Sequence, residues 1–453
     1  MKLRGKKILV LGLGDTGLSM VRWLVRQGAQ VRAADSRTEP PHAARIRAQW
    51  PQVEIATGAF SDACFHGIDL IAISPGVPLA SLPATAVPVV GDVELFAQAL
   101  APRRAKVIAI TGANGKTTVT ALCGAMCKQS GAHTVVAGNI GLPVLDALTA
   151  IEDGAPMPEI FVLELSSFQL ETIMTLHADA ATVLNVTQDH LDRYPDMAAY
   201  AAAKARIFAG DGLQLLNRDD AYSRAMAAPG RNVASFGLNA PANDAEWGLT
   251  QINGAEWLAQ GQKSLLSCRE IPLTGRHNAA NALAALALCR AIDLPMKPLL
   301  TALRGFQGLP HRVEKVAEVG GVIFYDDSKG TNVGATVAAL NGMREAVVLI
   351  AGGEGKSQDF APLKPACAAH ARAVVLIGRD AAQIAAALDG CGVPLLPARD
   401  MEEAVNLAFQ ASHAGDAVLL SPACASFDMF RNYEHRAQVF VAAVHKLQAE
   451  RAA

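Results

Sequence analysis

Short runs of Val, Ile and Leu recur along the chain, each closed by a turn and followed by a longer Ala-rich stretch with helical spacing. Continuous apolar runs of that length fit strands buried on both faces, and their alternation with helices fits parallel sheets covered by helices. The first unit reads as a strand at residues 8–11, a helix near 17–27, a second strand at 31–34 and a later one at 70–73. A helix over 92–100 then meets Pro102, Arg103 and Arg104, a helix stop followed by charge, which sets a first boundary. The second unit opens with a strand at 107–110 and continues with strands near 134–137, 160–165 and 181–185. Over 245–272 the helical rhythm lapses into strand-like pieces, before a strong Ala/Leu helix at 278–292. Residues 305–310 read as a linker. Strands at 322–325, 347–350, 374–377 and 417–420 then build a third unit. The expected class is α/β, in three domains of mainly parallel sheet: 1–102, 103–307 and 308–453.

Composition narrows this picture. The chain has 453 residues, 51% hydrophobic and 18% charged, too apolar and too weakly charged for disorder. Forty Lys and Arg against 42 Asp and Glu leave a net charge of −2, so no global positive field draws nucleic acid or anionic membrane. The eight cysteines form no CxxC pair, and Cys123 and Cys127 read as a buried apolar pair on a helix. A reducing cytosol fits, and a cytoplasmic location is expected. The basic start, Met1 to Lys7, runs into a glycine-broken strand and does not read as a signal peptide. No apolar run approaches the roughly 18 residues of a membrane span.

The strongest chemical signal is Thr111-Gly112-Ala113-Asn114-Gly115-Lys116-Thr117-Thr118, set between a buried strand and a helix. Glycines allow a tight loop whose N–H groups face one point, the helix terminus adds positive character, and Lys116 can reach the β and γ phosphates. Residues 112–118 are therefore expected to cradle ATP, with Thr117 placed as a magnesium ligand. Ile110 stands where the strict phosphate-loop pattern has its first glycine, but the shorter TGxNGK[ST]T form remains specific. Glu164 interrupts the apolar run 161–165, where a buried carboxylate needs a partner: a metal ion beside Thr117, or a structural salt bridge. His190, in QDHLD, follows a strand at the same sheet edge. Lys204, after the Ala-rich stretch 198–203, reads from the residues alone as a solvated lysine. Asn278 and Asn281 read equally as caps of their helix.

Gly12-Leu13-Gly14-Asp15-Thr16-Gly17, with Asp35 ending the next strand, has the form of a dinucleotide fingerprint, and Asp35, Ser36 and Arg37 would bind ribose, base or phosphate. Its bland alternative is strand–helix packing. In the third unit, residues 325–331, 351–356 and 420–427 end three strands and converge on one expected cleft.

Taken in order, TGANGKTT, ELSSFQL, QDHLDRY, HNAAN, GLPHRVE, YDDSKGTN, GGEGKS and SPACASFD resemble the Mur ligases of peptidoglycan synthesis across essentially the whole chain. GLGDTGLS, ISPGV, DSKGTN and SPACASFD are most similar to the branch of that family that adds D-glutamate. The resemblance implies a Rossmann-like N-terminal domain for the UDP moiety, a P-loop ATPase-like centre for ATP and magnesium, and a Rossmann-like C-terminal domain for the amino acid. Its implied substrates are UDP-N-acetylmuramoyl-L-alanine and D-glutamate, and its implied state is a monomer.

Carried over by position, Lys116, Glu164, His190 and Lys204 are catalytic. Thr117 and Glu164 bind one magnesium; Glu164 and His190 bind a second, supported by Lys204 as a carbamate. Asn281, Arg312 and Asp327 join the ATP contacts. Gly14, Asp15, Thr16, Asp35, Ser36, Arg37, Gly76, Asn139, Ser166, Gln169 and His190 face the UDP-linked substrate, and Thr331, Lys356, Ser426, Phe427 and Tyr433 hold D-glutamate. The implied reaction passes through an acyl phosphate, with the third domain closing over the second about hinges near 101–106 and 304–312. The chain departs from the family pattern at Asp15, at Gly330 in DSKGTN and at Glu354 in GGEGK. Rival readings are another Mur-type or folylpolyglutamate synthetase-like ligase, a dinucleotide-dependent oxidoreductase built on GLGDTG, and a non-enzymatic ATP-driven switch.

Overall fold

A computed structural model describes residues 2–101, 105–273 and 275–452. Pro102, Arg103 and Arg104, on which the first boundary and part of the first hinge were read, lie outside the described residues. Among the described residues the strands form three sheets. The first is parallel throughout, in the spatial order Glu54–Thr57, Gln30–Asp35, Lys7–Leu11, Leu70–Ile73, Val89–Gly91. This is a doubly wound order, with its switch point between Lys7–Leu11 and Leu70–Ile73 and loops gathered at its C-terminal edge.

The second sheet has nine strands. Thr134–Gly138, Ile160–Glu164, Lys106–Thr111, Ala180–Val183, Leu213–Asn217 and Val233–Phe236 run parallel, and Glu246–Ile252 extends them. The strand-like pieces expected over 245–272 are an antiparallel extension, in which Ala255–Gln260 and Lys263–Ser267 complete the sheet. On one face lie the helices Lys116–Gln129, Arg276–Ala291 and Met296–Gly305. Residues 282–289 are sealed from solvent on every side, which explains why that segment reads as apolar without amphipathic rhythm. Cys123 and Cys127 lie in this core as the expected apolar pair. No described helix is long and apolar enough to cross a membrane.

The third sheet orders Glu314–Val319, Val322–Asp326, Ala417–Leu420, Val347–Gly352, Ala371–Ile377 and Leu395–Pro397. All its pairings are parallel except the first. The Glu314–Val319 strand escaped the sequence reading because it is a half-polar edge strand with a bulge between Lys315 and Ala317. The strands ending at Asp326, Leu420 and Gly352 are neighbours, so their loops do meet at one sheet edge.

The first and second units share one apolar core, in which Phe96 meets Phe161 edge-on at 5.1 Å. A polar seam flanks it: Asp146 accepts from Ser19 Oγ at 2.9 Å and from Arg22 at 2.8 Å, and Arg26 pairs with Glu152 at 3.0 Å. Leu286→Ala, in the fully buried helix, is expected to lower stability by about 2–5 kcal/mol. Urea unfolding checks this, and a loss under about 1 kcal/mol would show the helix less tightly enclosed than described.

Candidate active site

The phosphate loop leaves the strand Lys106–Thr111 and enters the helix Lys116–Gln129 through Gly115, whose φ is +82°. A Cβ there would sit 2.6 Å from Asn281 Oδ1, so glycine serves both the turn and the close approach. No side chain caps this helix, leaving its first amides to an anion. The loop differs in one respect from a cradle of converging amides. Asn114 N–H donates to Asn185 Oδ1 at 2.8 Å and Ala113 N–H to the Asn185 carbonyl at 2.9 Å, while Asn185 Nδ2 donates to the Asn114 carbonyl. The amides of Ala113 and Asn114 are thus committed to Asn185, and those from Gly115 onward remain for phosphate.

Gly112 turns its carbonyl towards two lysines. Lys116 Nζ donates to it at 2.8 Å, and to Ala113 O at 2.9 Å, while Lys204 Nζ donates to the same oxygen at 3.0 Å. Lys204 is 1% exposed and packs over the Tyr200 ring, which corrects its reading as a solvated lysine. Burial, then the charge of Lys116, pushes its pKa well down, and burial also lowers that of Lys116.

Glu164 ends the strand Ile160–Glu164 and is 2% exposed. Asn139 Nδ2 donates to its Oε1 at 2.9 Å, and its Oε2 has no hydrogen-bond partner among the described residues. Among the described residues Glu164 makes no ion pair, so the salt-bridge alternative fails. An orphaned carboxylate oxygen beside Thr117 in the same cleft fits a hard divalent cation. Lys204 as an ammonium has no lone pair to offer such an ion; as a carbamate it would. A separate trio, His311, Glu314 and Asp326, also brings ligand atoms together, but it is internally paired, with His311 Nδ1 2.6 Å from Asp326.

His190 has φ +56° and lies edge-on to Phe168, and its side chain is 3.6 Å from Asp189. Burial pulls its pKa down to about 4 against the pull of Asp189, so it is neutral at pH 7. For Asp189 burial acts upward, but His190, Lys356 and the two lysines outweigh it and hold the carboxylate ionised.

These groups line a cleft of about 520 Å³ at the C-terminal edge of the central sheet, with Asn139, Ser166 and Arg312. Thr331, Lys356 and Phe427 of the third unit face it from the other side. Lys356 is 3.5 Å from Asp189 across the gap, and Gln188 accepts from Asp359 N–H at 3.0 Å, so the two units are docked. Ser426 is buried beside Phe427, and Tyr433 lies under Lys329, whose Nζ is 3.6 Å from the ring centre.

A narrower pocket adjoins the loop, lined by Asn114, Gly115, Thr118, His277, Asn281, Arg312, Asp327 and Lys329. The helix begins after Gly275, with Asn278 and Asn281 within its first turns rather than at the N-cap position; Asn281 Nδ2 donates to Asn278 Oδ1, and both line the pocket. Burial raises the Asp327 pKa to about 7, while it accepts from Ser421 Oγ at 2.7 Å.

Two expected substrate contacts are spent on the framework. Gln169 is buried in a capping box with Ser166 and donates to Asp92, away from the cleft. Asp35 accepts from Leu13 N–H at 2.7 Å and from Arg37 through both oxygens; burial alone would raise its pKa, but these bonds bring it to about 2. Gly14, Thr16, Ser36 and Gly76 follow strands at the C-terminal edge of the first sheet, with Arg37 half exposed. Asp15 starts a helix without capping it and pairs with His42 at 2.7 Å. Sequence reasoning missed Asn185, Asp189, Lys329, Asn332 and His277 as site residues. Asp189, His277, Lys329 and Asn332 do stand inside the recognised motifs QDHLDRY, HNAAN and YDDSKGTN; Asn185 does not.

Comparison with protein families matches residues 6–91 to the N-terminal domain of MurD-like Mur ligases, 110–289 to the Mur ligase middle domain, and 311–424 to the Mur ligase glutamate ligase domain. Two proteins named UDP-N-acetylmuramoylalanine--D-glutamate ligase, from Nitrosospira multiformis and Thiobacillus denitrificans, are 58% and 59% identical over 100% of this chain and 98% of theirs. The chain belongs to the Mur ligase family. Among solved Mur ligases, MurF from Thermotoga maritima in complex with ADP matches with a TM-score of 0.63 at 16% identity, over 98% of this chain and 96% of that one. MurC from the same organism matches with a TM-score of 0.61 at 20% identity, over 97% and 99%. At such identities the likeness speaks for the three-domain Mur ligase fold alone.

His277, in the narrower pocket beside the phosphate loop, has a pKa pulled down to about 4 by burial, against a hydrogen bond to the Ala338 carbonyl. Unfolded, it would take a proton near pH 6.5. Its share of stability is therefore present above that pH and lost as pH falls towards 4. The melting-temperature gap between wild type and His277→Gln is expected to narrow between pH 7.5 and pH 5; a constant gap would refute the assignment.

Proposed function

We propose that this chain joins D-glutamate to UDP-N-acetylmuramoyl-L-alanine with ATP, releasing ADP and phosphate, as a cytoplasmic monomer with working domains 1–102, 103–307 and 308–453. The observation that carries the chemistry is the shared cleft: an uncapped helix terminus and a buried carboxylate with an orphaned oxygen on one wall, and Lys356 on the other. The choice of substrates rests on the relatives 58% and 59% identical over the whole chain.

In this reading the triphosphate lies on the first turn of the helix Lys116–Gln129, with the base and ribose in the pocket near Asn281 and Asp327. Lys116 leaves the carbonyls of Gly112 and Ala113 for the phosphates, and Arg312, which lines both pockets, offers a two-pronged phosphate contact. The carboxylate of the UDP-linked alanine attacks the γ phosphorus and ADP leaves, giving an acyl phosphate. The amine of D-glutamate then attacks the acyl carbon, phosphate departs and an amide remains. Two magnesium ions, held by Thr117, Glu164, His190 and a carbamylated Lys204, would offset repulsion between the attacking carboxylate and the triphosphate. The burial that depresses Lys204 favours its neutral amine, which adds to carbon dioxide and loses a proton to give the carbamate. Lys356, Thr331, Ser426, Phe427 and Tyr433 receive D-glutamate, and docking of the third unit keeps water from the acyl phosphate.

The test is phosphate release with UDP-N-acetylmuramoyl-L-alanine against a panel of D- and L-amino acids. Turnover with D-glutamate above all others is expected; preference for an L-amino acid, or nicotinamide turnover without ATP, would overturn the reading. Lys204→Ala is expected to cut kcat by about 10- to 100-fold while sparing the fold, with partial recovery on adding short carboxylates. Unaltered turnover would discard the carbamate.

A further inference from the structure

The phosphate loop is gripped from two sides, and the second grip comes from another domain. Asn332 stands at the start of the third unit's helix Val333–Gly342 and is 3% exposed. Its side chain meets that of Asn114, in the loop, as a reciprocal amide pair: Asn114 Nδ2 donates to Asn332 Oδ1 at 3.2 Å, and Asn332 Nδ2 donates to Asn114 Oδ1 at 3.0 Å. Asn332 Oδ1 also accepts from Ala335 N–H at 2.9 Å, capping its own helix, and its Nδ2 lies 3.4 Å from Asp189 Oδ2. Asn114 Nδ2 has a second acceptor in Thr187 Oγ1 at 3.2 Å. The pair thus uses the hydrogen-bonding capacity of both amides almost fully.

Close approach is built into the backbone. A Cβ on Gly334 would lie 2.9 Å from Thr187 Oγ1 and 3.2 Å from Asn114 Nδ2. Asn332 follows Thr331 directly, so the loop assigned to the incoming amino acid and the loop assigned to the triphosphate are tied at adjacent residues.

Resting on the ligase reading above, we propose that Asn332 is a positioning residue for phosphoryl transfer: docking of the third domain brings its amide onto Asn114 and fixes the phosphate loop in its reactive shape. Asn185 holds the loop's backbone within the central domain in any arrangement; Asn332 adds the side-chain grip only when the domains are together. Phosphoryl transfer is therefore tied to the presence of the amino-acid domain.

The cap and the clasp are separable. In Asn332→Ser the hydroxyl still accepts from Ala335 N–H as a cap, but it is too short to donate to Asn114 Oδ1 or Asp189 Oδ2 and places no second carboxylate beside Asp189. The expected result is a kcat about 10- to 100-fold lower, the effect of leaving buried amide groups unpaired, with KM for ATP within about threefold of wild type and the melting temperature nearly unchanged. A merely structural cap would leave kcat alone, so a kcat close to wild type overturns the clasp. Gly334→Ala is the second variant, because alanine favours the helix while its methyl group wedges the pair apart. A lower kcat at undiminished melting temperature is expected, and wild-type kcat would overturn the proposal even if Asn332→Ser failed to fold. In the double variant the two losses should fall well short of multiplying, since both break one contact; full multiplication would count against it. Failure of the wild-type enzyme to turn over D-glutamate would remove the ligase reading instead, a result separate from any difference between variants.

Discussion

Two ammonium groups on one carbonyl oxygen set the terms for the rest of the site. Lys116 and Lys204 both donate to Gly112 O, in a place where burial strips most of their hydration. Like charges about 4 Å apart repel by ~4 kcal/mol at a protein-like dielectric. The relief available to the protein alone is for one amine to give up its proton. Glu164 presents the matching deficit, with one oxygen satisfied by Asn139 and the other by nothing among the described residues. An anion near the lysines and a cation at Glu164 would each remove a desolvation penalty that the fold now bears. The site is thus arranged so that triphosphate and metal satisfy complementary shortfalls. The parallel strands Lys106–Thr111 and Ile160–Glu164 and the Asn185 clamp keep those shortfalls from relaxing away.

That tension was only partly legible in the residues. The loop 111–118 announces itself because glycines, a lysine and hydroxyls have few other reasons to sit between a strand and a helix. Glu164 stands out because a carboxylate interrupts an apolar strand. Lys204 gave no such signal: its helix neighbours are alanines, and the fact that they allow close packing over the cleft is a tertiary matter. Asn185 was missed for the same reason, and Asn332, although inside DSKGTN, was passed over because its partner lies 218 residues away in sequence, against 71 for Asn185. Gln169, Asp35 and the Asn278/Asn281 pair illustrate a different limit. Each has side-chain chemistry suited both to a ligand and to the backbone nearby, and composition cannot say which demand prevails. The edge strand Glu314–Val319 was hidden because exposure on one side replaces half of its apolar residues with charge.

The two domain junctions are built from different materials. The first and central units share an apolar core around Phe96 and Phe161, flanked by the Arg22 and Arg26 ion pairs, and such an interface resists relative motion. Around the cleft, the described contacts between the central and third units include the Asn114–Asn332 amides, a backbone N–H to Gln188, the Lys356–Asp189 pair and the hydrogen bond of His277 to the Ala338 carbonyl. Hydrogen bonds of that kind exchange with water at little net cost. The contrast places the rigid junction between the first and central units and the more yielding one between the central and third units.

Lys356 shows how a yielding junction can still be selective. Its Nζ is held by the ionised Asp189, and its backbone, with that of Ser357, adopts positive φ at +52° and +59°. Non-glycine residues pay roughly 1–3 kcal/mol for such conformations, which persist where the surroundings enforce them. An incoming side-chain carboxylate could share the Lys356 ammonium with Asp189, whereas a neutral side chain would leave that ammonium to Asp189 alone. A preference for an acidic amine would then rest on that ammonium, at the same interface where Asn332 meets Asn114.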